Sequence, residues 1–159
     1  MIYIGIALGI LLTDLGIKYY IERHRSMQQE DYILKNRIIL RKHHNKGITL
    51  NALDQHTKLV RNISVGMTVI IAVAALISCF GKYSRRTATW QKTGLAFVLG
   101  GALSNTYDRI FRHYVVDYFS FNVKWKRLRS IIFNIADLFI FIGSVLMSIG
   151  RKSPADMKK

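Results

Sequence analysis

An uninterrupted apolar segment limits the folds that this chain of 159 residues can adopt. Residues 63–80 form 18 consecutive positions without a charged side chain, and Arg61 and Lys82 flank them. A helix of about 18 or more apolar residues is long enough to cross the hydrocarbon core of a bilayer. The segment therefore predicts a membrane protein.

Three further apolar runs accompany this segment, and the chain contains a single proline to interrupt helices. No cleavage site of small residues follows the first run, so we expect a retained helix there. We predict one integral-membrane domain over residues 1–159, an all-α transmembrane fold in which four helices form a bundle. The predicted helices cover residues 1–20, 62–80, 88–107 and 131–150. Small residues in the third helix, within LGGALSN at 99–105, favour close helix approach.

Two longer polar connections, at 22–61 and 108–130, join the predicted helices. Parts of both are rich in β-branched and aromatic residues and read as extended, including VVDYFSFNV at 115–123. We therefore expect a small β-region outside the membrane, built from residues around 30–60 and 114–124.

The formal net charge of +15 raises the possibility of a nucleic-acid partner. Four segments that could enter a bilayer argue against one, and anionic phospholipid is the better counter-charge. Basic residues occur in both long connections, in the short 81–86 connection and at the C-terminus, so charge alone leaves the orientation open.

Two aspartates lie where a membrane protein rarely keeps them without a use. Asp137 falls inside the last apolar run, and Asp117 follows the end of the third run. An ionised carboxylate in hydrocarbon costs roughly 3 kcal/mol on insertion scales, so such residues are usually buried against protein and often functional. Two carboxylates that meet across a fold can share one proton and activate one water, as an aspartic protease requires.

Other polar residues near the membrane follow a regular spacing. Asp14 and Lys18 are four residues apart in the first helix and share a face, which suggests a structural pair. Asn134 and Asp137 are three apart, and we expect them on one face of the fourth helix. The histidines and Cys79 show no spacing typical of metal ligands, so we expect no metal.

The chain resembles the lipoprotein signal peptidases, or signal peptidase II, which are four-helix membrane aspartic proteases. The resemblance extends from residue 14 to residue 137 and depends on five motifs in the family's order. They are the Asp14 and Lys18 pair, the Asn-x-Gly turn of Asn45 and Gly47, GGALSNTYDR with Asn105, Asp108 and Arg109, VVDY with Asp117, and FNIAD with Asn134 and Asp137.

The resemblance implies an enzyme that removes signal peptides from prolipoproteins, cutting on the amino side of a diacylglyceryl-modified cysteine. It implies Asp117 and Asp137 as the catalytic pair, no cofactor, and membrane phospholipid around the substrate. Asn45, Gly47, Asn105, Asp108, Arg109 and Asn134 would bind substrate or support the site. It also implies a bacterial cytoplasmic membrane, cytoplasmic termini, and an active site near the outer face. We expect a monomer.

The sequence departs from the family pattern at Ile48, Ser104 and Leu138. These departures leave both aspartates in place. An alternative is a divergent, non-cutting paralogue that binds lipidated peptides or a membrane partner. A proton-coupled transporter is disfavoured because the four helices show no internal repeat.

Overall fold

The computed structural model describes residues 1–47, 54–80 and 88–149, and within these ranges helices predominate. The predicted 81–86 connection, the basic C-terminus and the departure at Ile48 lie outside the described residues. The helices are α1 (Ile2–His24), α2 (Thr57–Phe80), α3 (Thr89–Phe111), the short α4 (Lys126–Arg129) and α5 (Ile135–Ile149). A 3-10 turn, Asp54–His56, precedes α2.

Helix α3 lies at the centre and packs against α5, α1 and α2. Its glycines explain how the backbones come so close together. A Cβ atom added at Gly100 would lie 2.7 Å from the Ala7 carbonyl oxygen of α1. One added at Gly101 would lie 2.5 Å from the Ala136 carbonyl oxygen of α5. The close approach predicted from the LGGALSN segment is therefore confirmed.

The small sheet has three antiparallel strands in the order β1 (Asp31–Ile33), β2 (Ile38–Asn45) and β3 (Val115–Phe121). The register shifts between Leu40 and His43, after which His43 lies opposite Asp117. Six of the seven residues of β3 are buried, and the strand packs against the end of α1. The prediction that residues 115–123 are extended is thus confirmed for residues 115–121, which form β3.

The β-region predicted for residues around 30–60 extends too far toward residue 60. Residues 54–60 form the 3-10 turn and the first residues of α2, so no strand extends there. No Gly or Pro separates residues 57–62 from the apolar run that follows. A helix can therefore continue backwards from that run without a break.

Two described helices, Ile2–His24 and Thr57–Phe80, are long and apolar enough to cross a bilayer. Only 22% and 11% of their most apolar windows is buried inside the protein, unlike the core helices of a soluble globule. Helix α5 is apolar but shorter. Exposed Leu, Ile, Val and Phe side chains on α1 and α2 give the protein a large apolar outer surface.

Candidate active site

Asp117 lies in the buried strand β3 with only 2% of its surface exposed. Its two carboxylate oxygens accept hydrogen bonds from two side-chain amides. Asn134 Nδ2 donates at 2.7 Å and Asn45 Nδ2 donates at 3.0 Å. Burial, reinforced by the nearby negative charge of Asp137, raises the pKa of the Asp117 carboxyl from 3.8 to about 7. Asp117 is therefore poised to hold or release a proton near neutral pH.

Asp137 lies in the first turn of α5 and takes part in a reciprocal cap. The Asp137 backbone N–H donates to Asn134 Oδ1 at 2.9 Å, and the Asn134 N–H donates to Asp137 Oδ2 at 3.2 Å. The expectation that Asn134 lies on a face of the helix was wrong, because Asn134 precedes α5. An Asn side chain satisfies the otherwise unpaired N–H groups of a helix start, which favours it there.

Two asparagines connect the carboxylates into one hydrogen-bonded group. Asn105 Nδ2 donates to Asp137 Oδ1 at 2.9 Å. Asn134 Nδ2, which also bonds Asp117, lies 3.3 Å from Asn105 Oδ1. We call the residues Asp117, Asp137, Asn45, Asn105 and Asn134 the aspartate cleft. Neither carboxylate of the cleft forms an ion pair with a side chain in the described ranges.

The aspartate cleft opens into a cavity of about 350 Å³. Apolar side chains cover much of its wall, as expected of a site that receives an apolar ligand. They are Val115, Ile131, Ile132, Phe133, Ile140 and Phe141. The site therefore combines a buried acid, Asp117, and a partly buried one, Asp137, with an apolar surface.

The Asn-x-Gly turn borders the same cavity. Asn45 Oδ1 accepts a hydrogen bond from the Gly47 N–H at 3.0 Å, which closes the turn. Arg109 Nη2 donates to the Gly47 carbonyl oxygen at 3.1 Å, and Arg109 lines the cavity. Arg109 thus fixes the turn that presents the Asn45 amide to Asp117.

A second group of buried charges lies deeper, between α1, α3 and β3. Lys18 Nζ is 2.7 Å from Asp14 Oδ2 and 3.2 Å from Asp108 Oδ2, and all three side chains are fully buried. Arg112 Nη1 pairs with the other oxygen of Asp108 at 3.0 Å. The Val116 N–H donates to Asp108 Oδ2 at 3.2 Å. We call Asp14, Lys18, Asp108 and Arg112 the ion cluster.

Two neutral hydroxyls complete the surroundings of Asp14. Ser104 Oγ donates to Asp14 Oδ2 at 2.6 Å. The Tyr118 hydroxyl donates to Asp14 Oδ1 at 3.0 Å and accepts the Ile135 N–H at 2.9 Å. The Ser104 departure thus supplies a hydroxyl that a glycine lacks. Leu138, another departure, packs against the apolar cluster formed by α1 and β3.

Sequence reasoning did not single out Tyr118 or Arg112. The four-residue spacing from Asp108 to Arg112 could have indicated that these two side chains form an ion pair. Strand alternation could have placed Tyr118 on the face opposite Asp117. No local pattern could have identified Asp14 as the partner of Tyr118, because 104 residues separate the two in the sequence.

The arrangement suits hydrolysis by a pair of acids. The buried carboxylate of Asp117 and the partly buried one of Asp137 share one amide network at one cavity, so their protonation states are coupled. Within the described residues, no group of three His, Cys, Asp or Glu side chains could hold a metal ion.

Comparison with known proteins gives concordant matches. The family model described as signal peptidase (SPase) II matches residues 6–151. The lipoprotein signal peptidase of Halalkalibacterium halodurans is 33% identical over 148 residues, which cover 90% of this chain and 86% of that protein. The lipoprotein signal peptidase of Histophilus somni is 30% identical over 159 residues, which cover 99% of this chain and 92% of that protein.

Solved structures also match over nearly the full length. A bacterial membrane enzyme determined by the in meso method at 2.3 Å superposes with a TM-score of 0.79. It is 26% identical and the match covers 99% of this chain and 91% of that one. A second, determined at 1.9 Å, gives a TM-score of 0.73 at 26% identity, covering 99% and 93% of the two chains.

Proposed function

The chain belongs to the signal peptidase (SPase) II family, and on this premise we infer that it is a lipoprotein signal peptidase, an aspartic endopeptidase that removes signal peptides from prolipoproteins. The relatives at about 30% identity over most of the chain carry that name. We propose that it cuts on the amino side of a diacylglyceryl-modified cysteine. The observation that carries the site assignment is that the Asp117 and Asp137 carboxylates, neither of which is ion-paired among the described residues, are joined through amides at one largely apolar cavity.

Asp137 is proposed as the general base. It lies in the first turn of α5, where the helix dipole favours a negative charge, and it accepts hydrogen bonds from Asn105 and from the Asn134 backbone. The ionised carboxylate takes one proton from a water molecule. The water oxygen forms a bond to the carbonyl carbon of the scissile peptide, and the carbonyl π-electrons move to its oxygen.

Asp117 is proposed as the general acid. Burial and the charge of Asp137 raise its pKa to about 7, so Asp117 can hold the proton up to neutral pH, and we assign the negative charge of the pair to Asp137. Its O–H donates a hydrogen bond to the developing oxyanion. When the C–N bond breaks, the nitrogen of the leaving amine gains a proton from the pair, and the carbonyl re-forms.

The amides and Arg109 hold this geometry. Asn45 and Asn134 each bond one oxygen of Asp117, which limits rotation of that carboxylate. Asn105 does the same for Asp137. Arg109 and Gly47 keep the turn of Asn45 in place, and Arg109 lines the wall against which a substrate backbone would lie. These are positioning roles, with substrate contact proposed for the cavity-lining groups Asn45 and Arg109.

The apolar outer surface supports a membrane location. We propose that α1, α2, α3 and α5 all cross the cytoplasmic membrane, that residues 1–159 form one domain, and that the protein acts as a monomer. The sheet and the aspartate cleft would then lie near the outer face, where a lipid-modified segment can enter from the bilayer. The apolar wall of the cavity suits such a substrate.

Cleavage of a diacylglyceryl-modified prolipoprotein by purified protein in detergent tests the assignment. Asp117→Asn and Asp137→Asn keep the shape of each side chain and remove its ionisable proton. We expect each to lower the rate by about 10²-fold or more while the protein stays folded. Asp31→Asn is the matched control, since the Asp31 side chain is 46% exposed in β1.

Three results separate the alternatives. Cutting before the lipidated cysteine by wild type and Asp31→Asn, but by neither cleft variant, supports the proposed pair. Full activity in either cleft variant overturns the assignment. Binding of the lipidated peptide by wild type without any cutting would favour the non-cutting paralogue.

A further inference from the structure

A basic cavity lies beside the cavity of the aspartate cleft, and Arg109 lines both. Its volume is about 350 Å³, within the range of small-molecule sites. Its lining contains five basic side chains and no acidic one. The lining residues are Lys46, Thr57, Lys58, Val60, Arg61, Arg109 and His113.

Three cations of this basic cavity lack an acidic partner in the part of the chain that the structure describes. Among the described residues, Lys46, Lys58 and Arg61 form no ion pair, in contrast to Lys18 and Arg112 of the ion cluster. Arg109 uses both terminal nitrogens on backbone carbonyl oxygens, yet its buried Nε has no hydrogen-bond partner. Lys46, Lys58 and Arg61 are therefore available to an anionic ligand.

The backbone around the basic cavity also favours an anion. Thr57 and Lys58 belong to the first turn of α2, which carries no acidic residue, and the helix dipole adds positive potential there. His113 adopts a left-handed conformation, with a φ of 66°, in the short turn between α3 and β3. That conformation is uncommon for a non-glycine residue and often marks a functional position.

The basic cavity lies where the basic and apolar surfaces of α2 meet. Lys58 and Arg61 precede residues 63–80, which carry no charge and expose many apolar side chains. Cations at such a boundary lie at the depth of lipid headgroups when the apolar part enters a bilayer. A phosphate attached to a lipid can therefore reach the cavity while its acyl chains remain beside α2.

We propose that the basic cavity binds the phosphate of an anionic phospholipid headgroup, as a site distinct from the aspartate cleft. Because Arg109 lines both cavities and holds the Gly47 turn, the bound phosphate would also help to fix the turn that presents Asn45. Binding of lipid does not depend on peptidase activity, so this inference can fail or stand independently of the proposed function.

The test measures retention of a short-chain phosphatidylglycerol by purified protein in neutral detergent, using native mass spectrometry. Phosphatidylcholine with the same chains and inorganic phosphate are the comparison ligands. The variant Lys58→Gln/Arg61→Gln removes two charges from the cavity. The control Lys124→Gln/Arg127→Gln removes two charges from exposed positions near α4 that do not line it. Thermal unfolding of each protein verifies that both variants are folded.

The proposal expects phosphatidylglycerol to bind wild type more tightly than phosphatidylcholine. The cavity variant should lose about tenfold or more in affinity, and the control variant less than about twofold. If millimolar inorganic phosphate competes for the cavity as strongly as the lipid does, the site is one for free phosphate and the proposed lipid ligand is wrong. Equal losses in the cavity and control variants, or no preference for the anionic lipid, would overturn the proposal.

Discussion

The ion cluster and the aspartate cleft contain the same kind of side chain in opposite electrostatic surroundings. In the ion cluster, Asp14 and Asp108 are fully buried but contact Lys18, and Asp108 also contacts Arg112. In the aspartate cleft, Asp117 and Asp137 receive amide and backbone hydrogen bonds and no ion pair among the described residues. Carboxylates that contact cations support the fold, whereas burial without a cation raises the pKa of Asp117 to about 7, where it can transfer a proton.

Asn105 connects the two regions. Lys18 Nζ donates to Asn105 Oδ1 at 2.8 Å, and Asn105 Nδ2 donates to Asp137 at 2.9 Å. The lysine of the ion cluster thereby sets the orientation of the amide that faces the catalytic candidate. Asp14 has no direct contact with the cleft among the described residues: besides its ion pair with Lys18, it accepts hydrogen bonds from Ser104, Tyr118 and the Ala136 N–H. A substitution of Asp14 therefore separates the role of the ion cluster from that of the aspartate cleft better than a substitution of Lys18 does.

Removing the central cation of the ion cluster should produce the largest effect. Lys18→Met leaves Asp14 and Asp108 buried without their shared partner. Breaking a buried pair from one side costs about 3–5 kcal/mol, so the free energy of unfolding in detergent should fall by that amount. Lys124→Met, at an exposed position, is the control. Equal stability of the two variants would show that the ion cluster does not hold the fold together.

The aspartate cleft should instead make the protein less stable as pH rises. Because the folded pKa of Asp117 is about 7, above its ordinary value of 3.8, the folded state holds this proton more tightly than the unfolded chain. Stability linked to Asp117 is thus present at low pH and is lost as pH rises through about 7. Between about pH 5 and pH 8 the loss is about 2–3 kcal/mol.

Comparison with Asp117→Asn isolates this contribution. Unfolding of wild type and variant in detergent at several pH values should give a stability difference that shifts in favour of the variant as pH rises. Parallel pH dependences would contradict the raised pKa of Asp117.

Tyr118→Phe tests the neutral contact between the ion cluster and the start of α5. The change removes the hydroxyl that joins Asp14 Oδ1 to the Ile135 N–H. It leaves both groups short of a partner, so we expect a loss of about 1–3 kcal/mol in unfolding free energy. Tyr107→Phe, at a residue that is 43% exposed, should change little. A loss no larger than in Tyr107→Phe would mean that the hydroxyl adds nothing.

Asn45→Ala should have the smallest effect, confined to the aspartate cleft. The Asn45 amide bonds the Asp117 carboxylate and lowers its pKa, opposing the effect of burial. Its loss should raise that pKa and move the alkaline limb of the pH–rate profile upward by about 0.5–1 unit. Asn122→Ala, whose amide bonds Asn36 on the surface, is the control. An unmoved alkaline limb would show that Asn45 does not tune Asp117.

Local spacing and composition correctly predicted some contacts and elements. The separation of four residues predicted the contact between Asp14 and Lys18, observed at 2.7 Å. The β-branched and aromatic string at 115–123 predicted strand β3. Each of these depends on interactions within a few residues, which a single sequence records.

Other features depend on where a helix begins, or on contacts between residues that are far apart in the sequence. The fourth helix was taken to begin with its apolar run at residue 131, but the Asn134 and Asp137 cap sets its start at Ile135. The role of Tyr118 depends on tertiary packing against α1, which no local pattern encodes. Likewise, the basic cavity gathers residues from α2, α3 and two connections.

The most direct test of this division of roles measures cleavage and unfolding on the same preparations of wild type, Asp14→Asn and Asp117→Asn at about pH 6, where Asp117 holds its proton. We expect Asp117→Asn to lose cleavage by about 10²-fold or more without the loss of stability seen for Asp14→Asn. We expect Asp14→Asn to unfold more easily but to cut in proportion to its folded fraction. A fully folded Asp14→Asn without activity, or an Asp117→Asn that cuts normally, would contradict the division of roles between the two regions.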